Sequence, residues 1–186
     1  MTGYSHSPMN SGPSTENRHR VVIIGSGFGG LAAARALEKA DVDVTLVART
    51  GHHLFQPLLY QVATGILSVG EIAPSTRLVL RDQKNVTVAM GEVDQIDVTA
   101  RRLHATAGHV DFELEYDSLI VAAGANQSYF GNDHFEHWAP GMKSIDDALE
   151  LRSRIMGCFE QAEVTDDEEE RRRLLSFVVV GAGPTG

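Results

Sequence analysis

A glycine motif set between two regular elements constrains the fold of this chain more than any other feature. The apolar run VVII (21–24) predicts a buried parallel strand, and LAAARALEKA (31–40) is rich in strong helix formers. Between them lies GSGFGG (25–30), and VDVTLVA (42–48) then alternates apolar and polar residues as a strand does. The stretch from 21 to 47 therefore predicts a β-α-β unit.

The spacing G-x-G-x-x-G has a physical meaning at this place in such a unit. Gly25 permits the tight turn out of the strand, and Gly27 lets the backbone approach a pyrophosphate. Gly30 allows the helix to pack closely on the strand, while the N-terminus of the helix faces the anion. The motif predicts a dinucleotide site, and the alternative is a merely structural turn.

The end of the second predicted strand departs from the usual pattern. An acid about 20 residues after the first strand ordinarily holds the adenosine ribose. Here that position is Ala48, followed by Arg49. Losing one hydrogen bond costs about 0.5–1.5 kcal/mol, which a large cofactor can absorb. Arg49 leaves two alternatives: it binds a 2′-phosphate, which would indicate NADP, or it is a solvent-exposed loop charge.

The remaining pattern predicts an α/β fold with a parallel sheet and an inserted antiparallel β-meander. Short helices are expected after Pro57 and after Pro74, through residue 80. Ser144 with Asp147 predicts a capped helix with an apolar stripe on one face, beside which Cys158 would be packed. The predicted strands are 85–90, three short ones within 92–115, 119–122 and the apolar run 177–180.

A second short helix is predicted after residue 164. Thr165 with Glu168 is the expected cap, and Glu168 with Arg172 is an expected i,i+4 ion pair. The acids lead and the arginines follow, which complements the helix dipole and predicts a solvated face, not a binding patch.

Composition excludes several classes of protein. The net charge of −9 argues against a nucleic-acid partner, which needs a basic face. The single cysteine, Cys158, excludes a disulfide framework and fits a reducing, cytoplasmic compartment. His52 and His53 are adjacent, so they cannot form an i,i+4 metal pair, and no metal site is expected. Residues 1–19 are rich in Ser, Gly, Pro and Asn, and predict a disordered leader without a signal core.

Several motifs together resemble the two-dinucleotide-binding-domain flavoproteins. These are GSGFGG, YDSLIVAAG (116–124) and a second glycine loop, GAGPTG (181–186). Within that superfamily HLFQPLLYQVATG (53–65) closely resembles the type II, non-electrogenic NADH:quinone oxidoreductases. YDSLIVAAGANQSYFGND, APGMKSIDDALELR and FVVVGAGPTG also resemble that family, in its actinobacterial, mycobacterial-like form. The disulfide reductases would need a cysteine pair that this chain does not have.

The resemblance implies two cofactors, FAD and NADH, and a set of binding residues without a catalytic acid or base. Hydride would pass from NADH to FAD, and two electrons from FAD to a membrane quinone, without proton pumping. The residues implied for FAD are Gly25, Gly27, Gly29, Gly30, Gln56, Pro57, Thr64, Val93, Ala123 and Gly124, with Arg49 added from the β-α-β argument. The residues implied for NADH are Gly181, Gly183 and Gly186.

The predicted organisation has three parts. A leader (1–19) precedes an FAD-binding Rossmann domain (20–143, with the meander at about 86–115), and a helical connection (144–186) enters an incomplete NADH-binding unit. The expectation is therefore an N-terminal fragment that binds FAD weakly if at all and lacks turnover. In the full-length protein the resemblance implies a peripheral position on the inner face of the membrane through the C-terminal part, and a possible homodimer.

Two other hypotheses remain open from the sequence. The chain could be a nucleotide-binding remnant without catalysis, in which case bound FAD would not be bleached by NADH. Alternatively, the enzyme could use another acceptor, such as ferredoxin or oxygen. The preference between NADH and NADPH cannot be predicted, because the second glycine loop is not followed by its next strand.

Overall fold

A computed structural model describes residues 18–181 of the chain. They form two compact units, one made of 18–53 and 75–124 and the other of 54–74 and 125–181. The elements are β1 His19–Ile24, α1 Phe28–Ala36, β2 Val42–Ala48, α2 Leu59–Ala63, α3 Val69–Ile72, α4 Thr76–Val79, β3 Val86–Met90, β4 Glu92–Asp97, β5 Arg102–Ala107, β6 Val110–Glu115, β7 Ser118–Val121, α5 Ile145–Val164 and α6 Glu168–Leu174. Two 3-10 helices, Gln56–Leu58 and Asp133–His137, complete the set.

The first unit is built on a four-stranded parallel sheet. Its strand order is β3-β2-β1-β7, with β1 in the interior between β2 and β7. One face of the sheet contributes Val21, Ile23 and Leu46 to a core that also contains Leu31 and Ala34 of α1. The predicted β-α-β unit and the parallel sheet are thus confirmed, although α1 begins and ends earlier than the predicted 31–40.

A separate antiparallel sheet, ordered β4-β5-β6, forms the second layer of this unit. Leu103 and Ala105 of β5 pack with Val22 and Val47 of the parallel sheet, so the meander covers the side opposite α1. The meander was expected at about 86–115, and the inclusion of residues 86–90 as its first strand was wrong. Residues 86–90 pair in parallel with β2, and the antiparallel part begins at Glu92.

An ion-pair network joins the start of β1 to the residues before β7. Arg20 donates to the carboxylate of Asp117 through Nη2 at 3.2 Å, and to Glu115 through Nη1 at 2.7 Å. The backbone N–H of Arg20 also donates to Asp117, at 2.8 Å. These bonds hold the pKa of Asp117 down at about 2, well below its ordinary 3.8.

The second unit is helical and contains the core residues Leu59, Val62, Ala63, Ile72 and Ala148. A helical segment follows Pro57 in this unit, and α4 follows Pro74 in the first unit, as the prolines predict. α3 was not predicted, although its capping box is present: the backbone N–H of Ser68 donates to Glu71 at 2.7 Å. The predicted cap of α5 is confirmed, since Ser144 accepts from the N–H of Asp147.

Three expectations at the C-terminal end were wrong. The N-cap of α6 is Asp167, not Thr165, because its carboxylate accepts the N–H groups of Glu169 and Glu170. Glu168 pairs with Arg171 at i,i+3 instead of with Arg172. Residues 177–180 do not form a buried strand. They pair with no strand of the described residues, and their valines are exposed.

The apolar stripe of α5 is confirmed only in part. Ala148 and Ala162 are buried, whereas Phe159 is exposed and its ring lies 5.7 Å from that of Phe177. Cys158 is half-buried and free. In the part of the chain that the structure describes, no helix is both long and apolar enough to cross a membrane.

Candidate functional site

The glycine loop between β1 and α1 is closed against its neighbours at two of its positions. Gly25 has φ +104°, in the left-handed region, and a Cβ there would lie 2.3 Å from the carbonyl oxygen of Ala122. A Cβ at Gly30 would lie only 1.8 Å from the carbonyl oxygen of Gly25. Both contacts are with backbone, which cannot move aside as a side chain can. The predicted tight turn and close helix–strand packing are therefore present.

Gly27 differs from both of these positions. It is the N-cap residue of α1, and no atom lies within 4 Å of the position that a Cβ would occupy. No side chain caps this helix, and its first turn carries no acid. Its N-terminus therefore combines open space with a partial positive charge, which suits an anionic group.

Gly29 has an ordinary environment by comparison. A Cβ there would lie 3.6 Å from the Cβ of Ala122, a normal van der Waals distance. Packing within the chain thus accounts for glycine at positions 25 and 30, whereas at 27 and 29 it leaves room for a side chain.

The buried side of the loop rests on the residues that follow β2. The side chain of Ser26 donates to the carbonyl oxygen of His52 at 3.1 Å. In the opposite direction, the Nδ1 atom of His53 lies 2.8 Å from the carbonyl oxygen of Ser26. A carbonyl only accepts, so Nδ1 carries the proton in this arrangement. His53 is 8% exposed, and its ring meets that of Phe28 edge to face at 5.3 Å.

Sequence reasoning considered His53 only as a metal ligand, and excluded it. Within residues 18–181 the structure contains no cluster of His, Cys, Asp or Glu suited to a metal ion. The contact with Ser26 was missed because nothing in the local pattern links two residues that lie 27 positions apart.

The ends of β2 and β3 bring together the residues expected near the adenosine. Ala48 is buried, and its carbonyl accepts the N–H of Gly91 at 2.9 Å. Arg49 is exposed, with its Nη1 atom 4.0 Å from the carboxylate of Glu92. Val93 is half-buried beside the core shared with the meander. An acid is thus present at this edge, but it comes from the start of β4 and not from the end of β2.

Ala123 and Gly124 follow β7 and lie beside the first glycine. The N–H of Ala122 donates to the carbonyl of Ile24 at 2.8 Å, and a Cβ on Gly25 would lie 3.4 Å from the Cα of Ala123. Gly124 has φ +76°. The turn that the resemblance assigned to FAD is therefore adjacent to the glycine loop, as expected from two neighbouring parallel strands.

The remaining candidate residues lie in the second unit. Gln56 and Pro57 begin the first 3-10 helix. Thr64 ends α2, is exposed, and donates its hydroxyl to the carbonyl of Tyr60 at 2.9 Å. Gly181 has φ +119°, whereas Gly183 and Gly186 lie outside the described residues.

Fold and loop together define an α/β protein with a dinucleotide-type glycine loop between its first strand and helix. The chain belongs to the pyridine nucleotide-disulphide oxidoreductase family, whose model matches residues 19–186.

The curated relatives it resembles include NADH:quinone and NAD(P)H-ubiquinone oxidoreductases. It is 68% identical over 170 residues to the type II NADH:quinone oxidoreductase Ndh of Mycobacterium tuberculosis, covering 91% of this chain and 36% of that protein. It is 33% identical over 177 residues to an external alternative NAD(P)H-ubiquinone oxidoreductase (B4, mitochondrial) of Arabidopsis thaliana, covering 91% of this chain and 30% of the relative. The chain thus spans about a third of the length of these relatives. The resemblance to the type II enzymes is confirmed.

A solved structure shows the same architecture. NDH2 from Plasmodium falciparum, in complex with NADH, superposes with a TM-score of 0.75 at 26% sequence identity, over 84% of this chain and 32% of the other. The sulfide:quinone oxidoreductase of Aquifex aeolicus, at 24% identity and a TM-score of 0.67 over 76% of this chain and 32% of its own, shares the fold. The predicted fold class is confirmed.

Proposed function

We propose that this chain supplies the FAD-binding part of a type II NADH:quinone oxidoreductase. The observation that carries the proposal is the contrast within one loop. Positions 25 and 30 are closed by backbone, whereas position 27 opens onto free space at an uncapped helix N-terminus. Such a loop leaves room for a diphosphate at Gly27 and holds its own shape through the other two glycines.

The candidate site residues of the first unit have separate roles in this proposal. The backbone N–H groups at the start of α1 bind the diphosphate, and the partial positive charge of the helix end stabilises it. No acid in the first turn opposes that charge. Arg49 and Val93 lie at the edge proposed for the adenosine, and Ala123 with Gly124 closes over the cofactor from β7.

Gln56, Pro57 and Thr64 are proposed to lie along the flavin, and Gly181, Gly183 and Gly186 to bind NADH. Bound FAD supplies the chemistry that no side chain here offers, namely acceptance of a hydride and delivery of two electrons. Residues 20–143 are accordingly proposed as the FAD-binding domain, and 144–186 as the connection into the NADH-binding domain.

The activity of the whole protein is a further part of the proposal. With the remaining two thirds that its relatives have, the protein would oxidise NADH and reduce a membrane quinone without pumping protons. It would lie at the inner face of the membrane, peripherally, and could form a homodimer. The 186-residue chain by itself is expected to bind FAD weakly and to lack this turnover.

The experiment that tests the proposal is an FAD titration of Gly27→Ala, followed by flavin fluorescence. The new methyl group would enter the space of the diphosphate without touching the protein. Affinity should fall by roughly tenfold or more, because hydrogen bonds to charged groups contribute about 1.5–3 kcal/mol each. The melting temperature of the FAD-free chain should be unchanged.

Gly70→Ala is the matched control, since a Cβ there also meets no atom within 4 Å but lies in the second unit, in α3. It should bind FAD as the unmodified chain does. Equal affinities of all three proteins would place the cofactor elsewhere. FAD that binds but is not bleached by NADH would favour a binding module over an enzyme.

A further inference from the structure

We propose that His53 is a positioning residue of the dinucleotide loop: its imidazole holds the carbonyl of Ser26 and so aims the N–H of Gly27 at the cofactor. This inference rests on the proposed function, in which the loop binds the diphosphate of FAD. His53 itself would touch neither the cofactor nor the reacting atoms.

The first step is the contact on the buried side of the loop. His53 is only 8% exposed, and its Nδ1–H donates to the carbonyl of Ser26 at 2.8 Å. Ser26 is buried as well, and its hydroxyl donates back to the carbonyl of His52. Two hydrogen bonds of opposite direction therefore fix the peptide unit after Ser26 to the segment after β2.

The second step is the geometry of that peptide unit. The described chain contains no cis peptide bonds, so the carbonyl of Ser26 and the N–H of Gly27 point in opposite directions. The carbonyl points at the buried imidazole, and the N–H consequently points away from it. Gly27 is exposed, with no atom near the place of a Cβ. Holding the carbonyl thus orients a donor towards the open side of the loop.

The hydrogen bond from His53 to Ser26 is distinct from the packing of its ring. The ring of His53 also packs edge to face against Phe28, at a centroid distance of 5.3 Å. Ring and N–H can therefore be removed independently. Within residues 18–181 no described ion pair or metal-ligand cluster includes His53, and its described side-chain contacts are those with Ser26 and Phe28.

Two substitutions test the proposal in the 186-residue chain. His53→Phe keeps an aromatic ring beside Phe28 but removes the donor. His53→Asn loses the ring but places an amide N–H close to the position of Nδ1. The FAD dissociation constant is measured by fluorescence titration, extended to high FAD concentration, and the melting temperature is measured without FAD.

The affinity for FAD is expected to depend on the N–H donor at position 53. His53→Phe should weaken FAD binding by roughly fivefold to tenfold, the size of one hydrogen bond of about 1–1.5 kcal/mol, while His53→Asn stays within about twofold. The melting temperature should depend instead on the aromatic ring, and should therefore fall further in His53→Asn than in His53→Phe. A purely structural His53 would make affinity and melting temperature fall together, and that result would overturn the proposal.

A measurement on the unmodified chain covers the case of a variant that does not fold. The ¹⁵N shifts of the imidazole report its tautomer, and the proton is expected on Nδ1. A proton on Nε2 alone would overturn the inference. If the unmodified chain shows no FAD binding at all, the proposed function fails and this inference fails with it. If it binds FAD and His53→Phe binds equally well, only the role of His53 is wrong.

Discussion

At the scale of single residues, the glycine loop shows how one motif contains several distinct physical requirements. Gly25 and Gly30 are required by contacts within the protein, because a Cβ at either would overlap a backbone oxygen. Gly27 has no such contact, and its role belongs to the proposed binding of the diphosphate. Glycine is therefore required for packing at two positions of the motif, and at the third we propose that it is required for binding.

The first prediction concerns Gly30. Gly30→Ala should destabilise the first unit by about 3 kcal/mol, because its Cβ would lie 1.8 Å from a backbone oxygen and overpacking costs about 1–3 kcal/mol or more. Urea unfolding measures the effect. Gly29→Ala, where the new contact is an ordinary 3.6 Å, is the control and should be as stable as the parent. Equal stability of the two variants would mean that helix and strand are not in contact here.

The residue-level content of the site was predictable wherever one chemical requirement selects one residue type. The three glycines could be predicted because G-x-G-x-x-G between a strand and a helix has a mechanical explanation. His53 could not, since its partner is a backbone carbonyl 27 positions away, and carbonyls are present at every residue. The contact between Arg49 and Glu92 was missed because it joins residues 43 positions apart, which no local pattern links.

At the scale of elements, most strands and helices could be predicted from the alternation of residues and from caps. The meander follows its alternating pattern, and the N-cap of α5 is the predicted Ser144. The sequence predictions failed where a local pattern was compatible with more than one structure. Asp167 and Thr165 are both good caps, and only the backbone path selects between them. Residues 177–180 have strand composition, but a strand also needs a neighbour to pair with.

The second prediction concerns the ion pairs that join β1 to the start of β7. The hydrogen bonds from Arg20 lower the pKa of Asp117 from 3.8 to about 2. A lowered carboxyl pKa adds stability that is complete above the unfolded pKa and is lost as pH falls towards the folded one. Asp117→Asn should therefore be less stable than the parent at neutral pH, and the difference should vanish between about pH 4 and pH 2.

Thermal unfolding of both proteins across that pH range measures this difference. Asp82→Asn is a suitable control, because Asp82 is highly exposed and its only described ion pair is with the adjacent Arg81. Its difference from the parent should be small throughout. A difference for Asp117→Asn that persists unchanged at pH 2 would show that the carboxylate charge contributes nothing.

At the scale of the whole molecule, the proposed function places this chain in the first part of a two-cofactor architecture. It spans 36% of the length of its mycobacterial relatives. The proposed division of labour assigns FAD to the first unit's glycine loop, and NADH and quinone to surfaces that need the remaining length. Sequence patterns could predict the order of the motifs along the chain, but not which surfaces meet in the folded protein.

The third prediction is that catalysis depends on that remaining length. The 186-residue chain should show no NADH:quinone turnover. A chimera in which it replaces the corresponding N-terminal third of Ndh from Mycobacterium tuberculosis should regain turnover, since the two are 68% identical over this region. Steady-state NADH oxidation with a soluble quinone is the measurement.

The chimera carrying Gly27→Ala serves as its control, and should lose activity that added FAD restores in part. Turnover by the 186-residue chain alone would contradict the proposed dependence on the further length that its relatives have. An FAD-loaded but inactive chimera would contradict the assignment to this enzyme type.

The position of β1 has a consequence for how the first unit folds. Neighbouring residues of this strand serve different cores, with Ile23 facing α1 and Val22 facing the meander. A shift of one residue in the pairing of β1 would move the side chains of each core to the opposite face of the sheet. Both cores therefore stabilise the same register of this strand. During synthesis β1 emerges first, yet its pairing with β7 waits for about a hundred further residues. The first of these strands to be made is thus among the last to be fully enclosed. Until β7 pairs, the open side of β1 is where premature pairing would be most damaging.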